Sequence, residues 1–318
     1  MNHLLFKFFA PALIGGVLVT SASAAERADK PPEAKIDFVD IDKDITLRRM
    51  VVRNAHPKGT VLLLHGFPES VYAYKDIAVE LGKDYDVHAF DWPGYGLSSR
   101  PSTDRFAYAP KDYARVLGQY IAKAGLDRST LTIYATDIGA LPALLLALDE
   151  PDIAKTIIVG DFAPFDRPAY MYESLQALKA QPKADQVRAF MNKNRDEILA
   201  NTFFRGLPDD ARYEIPREFK EDIARAWSDA GTTTPVDAFA NYYAHFTRDQ
   251  DHFESNVARL RTPVKIVWGE KDVYIKTDMG AELARKTNVE LRVLPGVGHY
   301  PHLQAPAQAI EEIRASFR

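Results

Sequence analysis

One stretch near the middle of the chain limits its possible folds more than any other. Residues 131–140 are Leu-Thr-Ile-Tyr-Ala-Thr-Asp-Ile-Gly-Ala, so an apolar run ends at Asp137 and a helix-forming run follows at once. The small residues Ala135 and Gly139 flank Asp137 two positions to either side, which lets a strand and a helix approach closely around a sharp turn. Asp137 is therefore either a helix-capping aspartate or a nucleophile exposed on a strained turn.

Strands and helices alternate on both sides of this turn, and the alternation predicts the fold class. Segments 36–41 and 45–52 favour an antiparallel pair, and six later apolar runs favour buried parallel strands separated by helices. We expect an α/β protein with a mostly parallel eight-stranded sheet and helices on both faces. The predicted parallel strands are 60–64, 87–92, 131–136, 156–159, 264–268 and 291–294, and the predicted helices are 71–81, 111–124, 138–148, 279–285 and one beginning at Ala305.

The alternation stops between about Pro164 and Asn256, where the segments favour helices and none favours a strand. A helical insertion between two parallel strands predicts a cap over the carboxyl edge of the sheet, where α/β proteins bind their ligands. We therefore divide the chain into a signal peptide at 1–24, an α/β core at 25–163 and 258–318, and a helical cap at 164–257.

The first residues have the pattern of an export signal. Residues 8–19 form an uncharged apolar stretch, and Ala22-Ser-Ala24 offers the small residues that a signal peptidase recognises. The stretch is short for a membrane span, although an uncleaved anchor is the alternative. We expect a periplasmic or secreted protein with no stable membrane insertion after cleavage.

Composition narrows the possible chemistry and partners. The chain has no cysteine, which excludes disulfides and thiolate sites, and its net charge of −4 argues against a nucleic-acid partner. Its histidines do not lie at ligand spacing from carboxylates, so we expect no metal, and we expect no cofactor. Aromatic residues of the cap favour a small apolar substrate, although they can equally form the cap core. These residues are Phe190, Phe203, Phe204, Phe239 and Phe246.

A loop after the first parallel strand is a candidate oxyanion site. His65-Gly-Phe-Pro68 directly follows the buried strand, so the backbone N–H of Phe67 can point at the same place as that of Ile138, just after Asp137. A simple Gly-Pro turn is the alternative interpretation.

Two acids and one histidine complete a possible catalytic set. His299 lies in the loop 296–301 after the last strand, where it can reach Asp137. The alternative is that His299 is an ordinary surface histidine. His302 is the nearest other candidate for the catalytic histidine. Asp272 follows the preceding strand and can orient the imidazole, and Asp161, after the strand next to Asp137, can do the same. The order nucleophile, acid, histidine is the one expected for this type of fold.

With these motifs, residues 36–318 resemble the α/β-hydrolase branch of epoxide hydrolases and haloalkane or haloacid dehalogenases, which use an aspartate nucleophile. The matching segments are 65–68, 91–98, the Asp137 turn and Gly298-His299. The leader, the segment 136–139 and Phe239-Ala-Asn-Tyr-Tyr243 look like secreted bacterial epoxide hydrolases. The resemblance implies that Asp137 attacks a substrate carbon to form an alkyl-enzyme ester, which water activated by His299 then hydrolyses.

The resemblance also implies that a tyrosine of the cap protonates the leaving alkoxide, and Tyr243 stands at the position of this tyrosine in the segment 239–243. The alternative is that Tyr242 or Tyr243 packs in the cap core. Tyr170 and Tyr172, early in the cap, match no motif for a second donor. Dehalogenases of the branch have a tryptophan after the nucleophile, or arginines and a Trp-His-Trp cap motif; this chain has Ile138 and neither other feature. A dehalogenase and a catalytically idle binding protein are the alternative functions.

The mature protein should begin at or near Ala25, because Ala22 and Ala24 occupy the positions that the peptidase reads. N-terminal sequencing of protein recovered from the periplasm or the medium measures this. Recovery of Met1 on membrane-bound protein would contradict the export prediction.

Overall fold

A mixed sheet lies at the centre of the structure, a computed structural model that describes residues 32–231 and 233–318; the predicted signal peptide lies outside the described residues. The sheet has eight strands in the order β1-β2-β4-β3-β5-β6-β7-β8. β1 and β2 pair antiparallel, as do β2 and β4, and all other pairs are parallel. The predicted fold is confirmed. The strands are β1 Lys35–Asp40, β2 Thr46–Val52, β3 Thr60–Leu64, β4 Asp86–Phe90, β5 Leu131–Thr136, β6 Thr156–Gly160, β7 Val264–Gly269 and β8 Leu291–Leu294.

Helices cover both faces of the sheet because the strands are apolar on both sides. In β3, Val61 and Leu63 pack in one apolar cluster, while Leu62 and Leu64 pack in another on the opposite face. The first face is covered by the helices that begin at Lys75 and Pro306, and the second by those that begin at Pro110, Ala140 and Thr277. The helices of the core are α1 Lys75–Leu81, α2 Pro110–Lys123, α3 Ala140–Asp149, α10 Thr277–Thr287, α11 Pro301–Gln304 and α12 Pro306–Ala315.

Two predicted helices differ from the observed ones for local reasons. The segment predicted as one helix over 71–81 starts as a 3₁₀ turn at Val71–Tyr74, after which α1 continues. The last helix, predicted to begin at Ala305, begins at Pro306 and is preceded by the short helix Pro301–Gln304, which was not predicted; Ala305 between them has a φ of −134° and a ψ of 56°, which are not helical. Because Pro306 follows, Ala305 is pushed out of the helical region, and the chain starts a new helix with proline in its first turn.

Among the residues described between β6 and β7, the chain forms six α-helices, all inside the segment that the sequence assigns to the cap. A buried ion pair joins this segment to the core: Arg48 of β2 donates to both carboxylate oxygens of Asp222, at 2.6 and 2.7 Å. Among the described residues, no helix combines the length and the apolar character needed to cross a bilayer. The cap helices are α4 Glu173–Ala177, α5 Lys183–Lys193, α6 Arg195–Asn201, α7 Arg217–Ser228, α8 Pro235–Ala244 and α9 Phe246–Asn256.

Candidate active site

Asp137 lies on a strained turn between β5 and α3. Its φ is +49°, in the left-handed region that residues other than glycine seldom adopt. Neighbouring backbone packs tightly around it: a Cβ on Gly66 would lie 2.6 Å from the Asp137 Cβ, and a Cβ on Gly139 would lie 3.1 Å from Leu64. The surrounding strands therefore hold the turn in place, and the carboxylate of Asp137 faces a cavity instead of capping a regular helix.

His299 lies between two carboxylates. Its Nε2 is 2.9 Å from Oδ2 of Asp137, and its Nδ1 is 2.8 Å from Oδ2 of Asp272. The other oxygen of Asp272 accepts the backbone N–H groups of Tyr274 and Ile275, at 2.8 and 3.1 Å, so the loop after β7 fixes the acid that orients the imidazole. The structure thus places the predicted nucleophile, histidine and acid in one hydrogen-bonded row.

Asp161, the second candidate acid, lies next to this row without a hydrogen bond to His299. Its Oδ1 accepts the backbone N–H of Gly269 at 2.9 Å, which turns the side chain towards the end of β7. Burial and the neighbouring charge of Asp272 raise the pKa of Asp161 well above its usual range. Of the two acids, the structure aims Asp272 at the imidazole, and Asp161 supports its surroundings.

Asp161, Asp272 and His299 form a candidate cation site. One ligand atom from each of Asp161, Asp272 and His299 lies within 4.8 Å of the others. However, Asp272 and His299 bond directly to each other at 2.8 Å, and an ion would have to separate them to reach Zn–ligand distances of about 2 Å on both sides. The donor set therefore fits an imidazole held by an acid better than a metal centre.

His302, the competitor of His299, has a different partner. Its Nε2 lies 2.6 Å from Oε1 of Glu69, and both side chains are fully buried. The other oxygen of Glu69 accepts the backbone N–H of Gly66 at 2.8 Å. This pair therefore fixes the backbone of the predicted oxyanion loop. Glu69 was not among the residues predicted from the sequence, although its position directly after 65–68 was a signal for it.

Phe67 and Ile138, the predicted oxyanion donors, both line the cavity next to Asp137. Ile138 directly follows Asp137 in the 3₁₀ turn Asp137–Gly139, so its backbone N–H can serve the place where charge would develop. On the other side, the hydroxyl of Tyr300 donates to the carbonyl of Phe67 at 2.8 Å and holds this loop.

The charges of the row depend on each other. Burial lowers the pKa of His299, but the Asp272 and Asp137 carboxylates outweigh it, so the pKa lies well above the usual value of 6.5. Burial also raises the pKa of Asp137, and the bond from His299 opposes this effect. Because the folded-state pKa of His299 exceeds that of the unfolded chain, its proton stabilises the fold fully below pH 6.5, and this contribution is lost as the pH rises through the folded-state pKa.

A cavity of about 510 Å³ opens between the row and the cap, within the size range of small-molecule sites. Five tyrosines line the cavity, and the hydroxyls of three of them donate to backbone carbonyls. Tyr242 donates to Ile138, Tyr274 to Thr202 and Tyr300 to Phe67. The hydroxyl of Tyr172 accepts from Arg205. That of Tyr243 has no hydrogen-bond partner among the described residues. The tyrosines on the wall are Tyr172, Tyr242, Tyr243, Tyr274 and Tyr300.

Comparison with known proteins gives a family and several relatives. The model of the Alpha/beta hydrolase family matches residues 61–313. Haloalkane dehalogenase 2 of Mycobacterium tuberculosis is 34% identical over 108 residues, which cover 33% of this chain and 36% of the relative, so the match spans about a third of that protein. Mouse epoxide hydrolase 3 is 25% identical over 285 residues, 81% of this chain and 70% of the relative. The solved structure of the epoxide hydrolase CorEH superposes with a TM-score of 0.71 at 19% identity, covering 90% of this chain and all of that one.

Nuclear magnetic resonance should detect the effect of the two carboxylates on His299. In ¹⁵N-histidine titrations, with His299→Gln used to assign the signal, the imidazole should keep its proton above pH 6.5. Asp272→Asn should lower this pKa because it removes a charge from beside Nδ1. Asp161→Asn is the matched control and should lower it far less. An equal fall in both variants would mean that Asp161 shares the role assigned to Asp272.

Proposed function

Because the chain belongs to the α/β-hydrolase family, we propose that it is an exported epoxide hydrolase that forms a covalent ester on Asp137. The main support is the cavity wall, where the Asp137 carboxylate and the uncommitted Tyr243 hydroxyl face one apolar space. Opening an epoxide requires these two groups together: a nucleophile for carbon and an acid for the leaving oxygen. The alignment with mouse epoxide hydrolase 3 covers most of the chain and supports the same activity.

The first step uses the nucleophile and the phenol. An Asp137 oxygen attacks one epoxide carbon, the C–O bond on that carbon breaks, and the released alkoxide takes the proton of Tyr243. Burial raises the pKa of Tyr243 well above 10, and the charge of Asp137 raises it further, so the phenol keeps its proton until a strongly basic alkoxide forms. The product of this step is a hydroxyalkyl ester of Asp137.

The second step uses His299 after its electrostatic surroundings have changed. Esterification removes the charge of Asp137, so one of the two carboxylates that raised the pKa of His299 is lost. The imidazolium then gives its proton to the Tyr243 phenolate, which restores the phenol and leaves a neutral imidazole. His299 takes a proton from water, and the hydroxide attacks the ester carbonyl carbon, with the oxyanion facing the N–H groups of Phe67 and Ile138. Collapse releases the diol, protonated by His299, and the proton of the new carboxyl group then passes to His299, which restores the resting pair of imidazolium and Asp137 carboxylate.

Haloalkane dehalogenation is the alternative function, because a haloalkane dehalogenase is among the relatives. The positions of the tryptophan side chains do not favour it. A halide leaving group is stabilised by N–H donors, yet the indole of Trp92 donates to the His65 carbonyl at 3.0 Å, and that of Trp268 to the Ile275 carbonyl at 2.9 Å. Trp227, the third tryptophan of the chain, is not part of the cavity wall. The phenol donor therefore fits an oxygen leaving group better than a halide.

Tyr243→Phe should lower kcat/KM for styrene oxide by about 10²-fold or more, the usual contribution of a positioned general acid, while leaving the ring in place. The control is Tyr170→Phe, whose hydroxyl lies outside the cavity wall and whose loss should leave kcat/KM unchanged. Initial rates of diol formation measure both. Unaltered turnover by Tyr243→Phe would remove this residue from the mechanism.

A single turnover in ¹⁸O-water should place the label in the peptide that contains Asp137, and the first diol should leave unlabelled. The reason is that water attacks the ester carbonyl and not the substrate carbon. His299→Gln should stall the second step, so mass spectrometry should show the intact protein increased by the mass of the whole epoxide. With a haloalkane the increase would be the substrate minus HX. Label found directly in the first diol would exclude Asp137 as the nucleophile, and no turnover of either substrate class would favour an idle binding protein.

A further inference from the structure

Arg205 presents a cation at the wall of the otherwise mainly apolar cavity. It follows the short 3₁₀ turn Thr202–Phe204 of the cap, and its side chain is exposed. Two tyrosines orient the guanidinium: Nε donates to the hydroxyl of Tyr274 at 3.1 Å and Nη1 to that of Tyr172 at 3.0 Å. The cation also lies over both rings, 5.2 Å from the centroid of Tyr172 and 5.8 Å from that of Tyr274. The guanidinium is thus held in one orientation by neutral groups.

The guanidinium of Arg205 has no counter-ion in the part of the chain that the structure describes. Within residues 32–231 and 233–318, no carboxylate lies within 4.0 Å of it. Glu197, the exposed acid on the same cavity wall, makes no ion pair with it. A guanidinium has five N–H donors, and the protein uses two of those of Arg205, so three remain for a ligand. Planar, paired donors match the two oxygens of a carboxylate.

Tyr274 sets the distance between this cation and the reacting groups. Its ring packs edge-on against His299 with the centroids 5.0 Å apart, and its hydroxyl bonds to Arg205. A ligand that reaches from Asp137 to Arg205 along this wall therefore passes both the imidazole of His299 and the phenol of Tyr274. The remaining wall is mainly apolar, which suits an aromatic or short aliphatic body between the two ends.

We propose that Arg205 binds a carboxylate of the substrate, at the opposite end of an apolar body from the group that Asp137 attacks. The identity of that reactive group as an epoxide rests on the proposed function, whereas anion binding by Arg205 does not. Arg205 is in this view a specificity-determining residue, and Tyr172 and Tyr274 are the positioning residues that orient it.

Binding of unreactive probes tests the proposal without any turnover. 4-Ethylbenzoate and 4-ethylbenzamide share one shape and differ in charge, and calorimetry should show the benzoate binding to the wild-type protein at least about tenfold tighter, the effect of a hydrogen bond to a charged group. Arg205→Gln should abolish this preference. Arg212→Gln is the matched control, because Arg212 is an exposed cap arginine paired with Asp209, outside the cavity wall, and should keep the preference. Equal affinity of the wild-type protein for both probes would overturn the proposal, as would a preference retained by Arg205→Gln.

Turnover separates this proposal from the proposed function. 4-(Oxiran-2-yl)benzoate and 4-(oxiran-2-yl)benzamide place an epoxide and the test group on either side of one ring. The ratio of their kcat/KM values should favour the acid by about tenfold or more in the wild-type protein and fall towards one in Arg205→Gln. Benzoate binding that depends on Arg205, with neither epoxide hydrolysed, would reject the epoxide hydrolase assignment and keep the anion site. Hydrolysis of both epoxides at equal rates would reject the anion site alone.

Discussion

The close approach of three backbone segments around Asp137 is the constraint on which the rest of the site depends. Asp137 has a positive φ, and Gly66 and Gly139 are the neighbours that make this conformation sterically possible. The strain is tolerated because β5 is hydrogen-bonded on both sides, to β3 and β6. The turn therefore presents a carboxylate to the cavity from a rigid support, which limits the motion available to the groups that must meet it.

Electrostatics around His299 connect the geometry of the resting protein to the two proposed steps. With both carboxylates charged, the imidazole holds a proton and the row is an ion pair that keeps Asp137 in place. Conversion of Asp137 to a neutral ester removes one of these charges while Asp272 remains. The same histidine is then a stabilising cation before the ester forms and a general base after it, without any movement of the backbone.

The cap contributes groups that the core alone lacks. Tyr243 and Arg205 both belong to cap segments, and Tyr242 joins α8 to the carbonyl of Ile138. The Arg48–Asp222 pair, which also bonds to Asp91 and Ser70, fixes where the cap lies on the core. A buried ion network of this kind adds little net stability, because its desolvation is costly, but it favours one arrangement over others. The position of the cavity relative to Asp137 follows from that arrangement.

The sequence by itself was sufficient for the sheet and for the strand–turn–helix at Asp137. Apolar runs and small residues at fixed spacing are local patterns. Parallel strands also bring their carboxyl ends to one edge of the sheet, regardless of the conformation of the loops. This is why residues as distant as Asp137 and His299 could be named together as candidates. The change from a 3₁₀ turn to a helix after Tyr74 and the start of the last helix after Ala305 were less predictable. They depend on one capping residue and on one proline.

Only the tertiary structure distinguished between residues of the same type. Asp161 and Asp272 both follow strands that end at one edge, and the direction of each loop, set by the backbone N–H groups that bind each carboxylate, aims Asp272 at the imidazole. Tyr242 and Tyr243 are adjacent in the chain, yet the rotation of α8 directs one hydroxyl to a carbonyl and leaves the other to the cavity. Arg205 had no signal in the sequence at all, because an exposed arginine becomes a binding group only where folding places it beside a cavity and leaves its charge without a counter-ion.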